Sequence, residues 1–176
     1  EYLAPQGINV VAASSAEMCD AAGSADVVLA ETPANPSLDV TDLHRLALIC
    51  RGRGARLVVD NTTATPLGQT PLALGADLVV HSGTKYIDGQ GRVLGGAILG
   101  DKEYIDGPVQ KLMRHTGPAM SAFNAWVLLK GLETLAVRVD YSNSSAHRIA
   151  EFLEAHPAVR WVRYPFLPSH PQHDLA

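Results

Sequence analysis

Cysteine is scarce in this chain of 176 residues, with only Cys19 and Cys50 present. Both fall in predicted helices, far apart in sequence, so no disulfide is expected and a reducing, cytoplasmic setting is the default. Net charge is 14 − 18 = −4, and no block of Lys or Arg stands out. Without one there is no electrostatic footing for nucleic acid or for a membrane surface. No apolar run approaches the roughly 20 residues that cross a bilayer. The first residues carry no basic-then-apolar signal pattern, and repeats and low-complexity segments are absent. His170 and His173 have no third ligand at suitable spacing, so no metal site is expected. What the chain does have is 47% hydrophobic residues, enough for a sizeable core.

Those apolar residues come in short runs. Asp26–Glu31, Arg56–Asp60 and Asp77–His81 read as strands buried on both faces. Ile8–Val11 and Val93–Leu99 read as further strands, and the Gly95–Gly96 pair suggests that something packs closely on the backbone. Ala16–Ala22, capped by Ser14 or Ser15 and stopped by Gly23, and Thr41–Cys50, broken by Gly52 and Gly54, read as helices. His44 falls on the polar side of the second. A loop and a short helix cover Pro66 to Gly75. This alternation implies an α/β fold with a mainly parallel sheet flanked by helices and right-handed crossovers. Helices follow at Tyr104–His115, Ala122–Lys130 and Leu132 to about Ala155. Trp126, Val127, Leu129, Leu135, Val139, Ile149, Phe152 and Leu153 are their expected core positions. The last helix is long enough to bridge two domains, which places a large domain at 1–131 and a linking helix with the start of a smaller domain at 132–176.

Ligands in such a sheet collect at the carboxyl ends of the strands. The Asp77–His81 strand runs there into Ser82-Gly83-Thr84-Lys85. Ser82 and Thr84 can donate hydroxyls to an anion, and Gly83 lets the backbone come close. Lys85 is a primary amine at the edge of an apolar sheet, where partial desolvation favours the neutral nucleophile. An amine beside a phosphate-sized donor cluster suits a Schiff base with pyridoxal phosphate (PLP). A nucleotide P-loop is ruled out, because the order is Gly-Thr-Lys and Leu78 stands where a glycine is required. The simpler reading, a solvated lysine after an ordinary turn, is countered by Asp60. It ends the preceding strand, where an acid pairs with a protonated pyridine nitrogen. Asn35, in the loop held extended by Pro33 and Pro36, is either a cofactor and substrate contact or a turn residue. Arg92 is equally open between a solvated arginine and an anion ligand.

Val58-Val59-Asp60-Asn61-Thr62 followed by His81-Ser82-Gly83-Thr84-Lys85-Tyr86 closely resembles the Cys/Met-metabolism PLP enzymes. That family holds cystathionine γ-synthases, γ- and β-lyases and homoserine-ester sulfhydrylases. Glu31-Thr32-Pro33-Ala34-Asn35-Pro36, Lys130-Gly131-Leu132-Glu133-Thr134-Leu135 and Ser169-His170-Pro171-Gln172-His173 also look like family stretches. Trp161–Tyr164 resembles the first strand of its smaller domain. Gly89-Gln90-Gly91-Arg92 is most similar to the O-succinylhomoserine sulfhydrylases, and Gly83 stands where alanine is commoner.

The resemblance implies the large domain of an aspartate-aminotransferase-like, fold type I enzyme. Lys85 would hold PLP covalently, Asp60 would pair with its ring nitrogen, Ser82 and Thr84 would bind its phosphate, and Asn35 would lie near the ring. The implied reaction is γ-replacement on O-succinylhomoserine by sulfide in methionine biosynthesis. Cystathionine γ-synthase or γ-lyase chemistry is the alternative, and a chain that does not catalyse is a further one. The implied partners are an amino-acid substrate, a sulfur donor and copies of the chain itself, tetrameric in the family. Relatives are longer at both ends and draw a ring-stacking tyrosine, further phosphate donors and a carboxylate-binding arginine from outside these residues. The chain therefore reads as a central portion that is inactive and prone to association on its own.

Overall fold

Three short strands and the helix between the first two make the core. The computed structural model describes residues 3–176. β1 (Val27–Glu31), β2 (Arg56–Asp60) and β3 (Leu78–Ser82) run parallel, and β4 (Gly96–Gly100) joins β3 antiparallel at the end of the sheet. Around them come α1 (Met18–Ala22), α2 (Leu43–Arg53), α3 (Thr65–Gly68), α4 (Lys102–Tyr104), α5 (Gln110–Thr116), α6 (Ala122–Leu132) and α7 (Leu135–Glu154). This is the expected mainly parallel sheet with flanking helices.

Alternate strand residues Val28, Ala30, Leu57 and Val59 point to one face, where they pack with Leu43, Leu46, Ala47 and Cys50 of α2 and Ala22 of α1. Leu46 and Leu57 have no exposed surface, which contributes about 2 kcal/mol each in transfer free energy. Cys19 packs against this same cluster, so the two cysteines are neighbours in space although both are free thiols. At the amino ends of the strands, Asp77 accepts from the Leu57 amide (2.8 Å) and the Arg56 guanidinium (2.7 Å), locking β2 to β3 in register. Helix starts are capped as their sequences require. Asp42, Asp101 and Ser121 accept the amides of Arg45, Tyr104 and Asn124.

Several expectations are corrected. The strands are apolar on both faces, yet only one face is covered by the described residues, and Val27 and Leu29 of β1 stay exposed. Ile8–Val11 and Trp161–Tyr164 are irregular rather than extended in a sheet. Their β-favouring side chains meet no neighbouring strand, and that neighbour is what strand propensity depends on. Val93–Leu99 shortens to Gly96–Gly100. Tyr104–His115 becomes α4 and α5 joined by a wider turn, Ile105–Val109, that takes in Pro108. Ser14 does not cap α1 directly; its hydroxyl donates to the Glu17 carboxylate at 2.7 Å.

In α7 the buried stripe is Leu135, Val139 and Ala150. Phe152 falls off that stripe at the helical pitch and Ile149 at its edge, and both are exposed. Likewise Val127 and Leu128 of α6 are buried while Trp126 and Leu129 are not.

Candidate active site

Strand register decides which side chains meet. Glu31 of β1 lies opposite Asp60, and Asp60 opposite Val80 of β3. Ser82, two residues beyond Val80, therefore leaves the sheet on the same face as Asp60, one strand spacing (about 4.8 Å) across and one step further along. That face is the uncovered one. His81 points the other way, toward the core, and is buried.

Each strand tip is held by polar contacts of its own loop. Thr62 donates its amide to Asp60 Oδ1 (2.9 Å), and its hydroxyl accepts the Ser82 amide (2.8 Å), so the turn after β2 ties the two tips together. Asn61 is 1% exposed. Its carboxamide donates to the Thr65 carbonyl (3.1 Å) and the Gln69 carbonyl (2.9 Å) and accepts from Gln69 Nε2 (2.9 Å). Gln69 in turn donates to the Thr32 carbonyl (3.3 Å), and Thr32 Oγ1 accepts the Thr41 amide (3.0 Å). One buried polar network thus joins the loop carrying Asn35 to the loop carrying Asp60. Asn35 itself is exposed, on the loop after β1.

The segment after β3 is a wide helical turn, Gly83–Ile87, kinked at Lys85 (φ −86°, ψ −112°). Gly83 is closely packed there: a Cβ would meet the Gly95 carbonyl and Leu128 Cδ1 at 3.2 Å each, so an alanine would need its neighbours to give by a few tenths of an ångström. Gly95 is packed as closely, since its Cβ would lie 2.7 Å from Leu128 Cδ1, and this is the close approach that the glycine pair suggested. Thr84 Oγ1 accepts the Gly95 amide (3.2 Å) and donates to its carbonyl (3.4 Å). The Ser82 hydroxyl makes no hydrogen bond among the described residues. Lys85 is exposed rather than partly desolvated. It opens on a cleft of about 740 Å³ lined by Tyr86, Gly89, Gly91, Val137, Arg138 and Tyr141. Asp60, Ser82 and Asn35 do not line this cleft.

Burial pushes the pKa of His81 down, with the Asp60 carboxylate opposing the shift. Asp88 ends the lysine segment and is fully buried. Burial pushes its pKa up, but the Arg92 amide (2.6 Å) and guanidinium (2.8 Å) outweigh that and hold it below the ordinary range. Arg92, open between two readings from sequence, is therefore bound to Asp88. Among the described residues no three groups are placed to hold a metal ion.

The model of the Cys/Met metabolism PLP-dependent enzymes matches residues 8–176. The chain belongs to that family. It is 70% identical over 149 residues to an O-succinylhomoserine sulfhydrylase from Mycobacterium tuberculosis, covering 85% of this chain and 37% of the relative. It is 47% identical over 146 residues to cystathionine gamma-synthase 1 of Arabidopsis thaliana, covering 83% of this chain and 26% of that protein. A methionine gamma lyase from Micromonospora echinospora, solved in its apo form, superposes with a TM-score of 0.86 at 40% identity, over 89% of this chain and 44% of the other. The chain thus spans little more than a third of the sulfhydrylase it matches.

The family is PLP-dependent, and the donor set here fits that cofactor. An exposed amine, a hydroxyl with no hydrogen bond among the described residues and a carboxylate sit at two adjacent strand tips. Asn61, Gln69 and Arg138 were not found from the sequence. The signal available for the first two was an amide pair flanking a short loop, too common a pattern to single out.

Replacing Asn61 by Ala removes a donor from each of the Thr65 and Gln69 carbonyls and the acceptor of the Gln69 side chain, at a cost of about 2–3 kcal/mol. Urea melts of the two proteins measure it, and a loss under about 0.5 kcal/mol would show that water takes over the contacts. His81 gives a pH signature. A lowered folded pKa means the unfolded chain binds the proton more readily, so stability is full above the unfolded value and falls as pH drops through the folded one. Melting temperature should decline from pH 7.5 to 5, and less so in His81→Gln; equal slopes would rule out the histidine as a source.

Proposed function

We propose that the whole protein catalyses γ-replacement on O-succinylhomoserine with sulfide as nucleophile, giving homocysteine. The observation that carries this is the 70% identity to an O-succinylhomoserine sulfhydrylase, against 47% to a cystathionine gamma-synthase. The Gly89-Gln90-Gly91-Arg92 run agrees with it.

Bound PLP supplies an aldehyde for the substrate amine and a ring that takes up electron density from the substrate carbons. The rest falls to the chain. Lys85 would hold the cofactor and, once displaced by substrate, would shuttle protons at Cα and Cβ: a proton leaves each carbon before succinate departs from Cγ, and each is returned after sulfide has bonded there. Its exposure lets the amine swing between those atoms. Asp60 keeps a proton on the ring nitrogen; the hydrogen bond from Thr62 fixes the carboxylate's direction through Oδ1, and among the described residues Oδ2 takes no hydrogen bond. Ser82 donates to the phosphate. Thr84 joins it by exchanging its long 3.4 Å contact with the Gly95 carbonyl for a charged acceptor, which makes the stronger bond. Asn35 orients ring or substrate from the loop after β1.

Release of succinate from O-succinylhomoserine with sulfide, with cysteine and with no thiol tests the reaction. Sulfide should be preferred; preference for cysteine would make the protein a cystathionine γ-synthase, and efficient turnover without thiol a lyase. Borohydride reduction and peptide mapping should put the label on Lys85, and label on Lys102 or Lys111 would overturn the site. Asp60→Asn should keep cofactor bound while turnover falls at least about 100-fold. Near-normal turnover would reduce Asp60 to a structural strand end.

A further inference from the structure

Lys85 sits on a kinked turn, and among the described residues no hydrogen bond or ion pair holds its amine, so something else must aim it. Ile87, two residues on, packs into a small apolar cluster with Val93, Val127 and Leu128. Beside it the backbone meets Gly131 at the end of α6 so closely that any Cβ there would strike the Ile87 carbonyl. Arg138, on the first turns of α7, closes the contact. Its Nη1 donates to the Tyr86 carbonyl (2.8 Å), its Nη2 to the carbonyls of Ile87 (3.2 Å) and Gly131 (2.9 Å), and its Nε to Thr134 Oγ1 (3.1 Å). The guanidinium therefore grips the two carbonyls that follow Lys85 and fastens them to the α6–α7 junction. Gly89 lies directly over it, and a side chain there would displace the guanidinium.

We propose that Arg138 is a positioning residue, which sets the direction of the Lys85 amine through the Tyr86 and Ile87 carbonyls. The inference rests on Lys85 being the cofactor-bearing residue. The chemistry needs arginine at this place. Four acceptors are arranged around one planar fork, and an ammonium group on a flexible stem cannot reach them together. The anchor also explains how an exposed lysine keeps one direction: the backbone on its carboxyl side is fixed, and only the side chain is free to move.

The test uses the holoenzyme and the variants Arg138→Lys and Arg138→Ala. Reduction and mapping first show whether cofactor is on Lys85 in the parent protein. If it is not, the reading of the site fails, and this inference with it. With cofactor in place, Arg138→Ala should lose about 100-fold in kcat, the scale of misaligned reacting groups. KM should stay within about threefold, since substrate contacts are untouched. The visible circular dichroism of the bound cofactor should weaken, because its orientation is no longer fixed. The 740 Å³ cleft beside Arg138 is open, so added guanidinium ion should restore part of the rate, whereas urea should not. Arg138→Lys keeps the charge and guards against a simple folding defect. It should melt close to the parent protein yet lose about tenfold in kcat, because the lysine supplies only part of the fork. Parent-like kcat and dichroism in Arg138→Lys would overturn the proposal. So would a loss in Arg138→Ala that follows melting temperature alone and does not respond to guanidinium.

Discussion

The carboxyl edge of the sheet depends on the buried carboxamide of Asn61. Parallel strands end in loops that are not bonded to one another by the ladder, so their tips are free to splay unless something crosses between them. Asn61 and Gln69 make that crossing. Every donor and acceptor of the Asn61 side chain is used inside the protein, and the Gln69 amide carries the contact on to Thr32 under β1. Buried amides of this kind add little net energy when satisfied and cost heavily when broken. They therefore act mainly as spacers, setting how far the Asp60 tip stands from the loop that carries Asn35.

On that edge the groups divide by sheet face. Asp60 and Ser82 leave on the uncovered side, while His81 turns into the core, and the two-residue alternation of a strand is the whole reason. The carboxylate and hydroxyl are thus presented where a flat ring can lie across the strands, with the lysine beyond them. An extra residue in β3 would exchange His81 and Ser82 and leave an imidazole facing the ligand side.

The strands Arg56–Asp60 and Asp77–His81 were legible because consecutive apolar residues bounded by charged and small ones permit little else. The position of Lys85, Asp60, Ser82 and Thr84 was legible for a related reason: all sit in the few residues where those strands end. Ile8–Val11 looked equally strand-like and is not a strand, since local preference carries no record of whether a neighbour is present. The exposure of Trp126, Ile149 and Phe152 was likewise hidden, because apolar character marks what a residue would bury and not what it is packed against. Arg138 was the least visible of all. It bonds to carbonyls 51 and 52 positions earlier, and carbonyls have no letter in a sequence.

The last turns of the chain fold back on the loop after β1. Gln172 donates to the Val40 carbonyl and accepts its amide across 132 positions, and Arg163 reaches the Ser37 carbonyl and Asp39. Contacts that close so long a stretch form slowly, since the entropy of closure must be overcome before they return anything. The α2 core, whose partners are near in sequence, is expected to assemble first. The loop bearing Asn35 is then the last part of this edge to become rigid, and exchange of the Val40 amide would time that event.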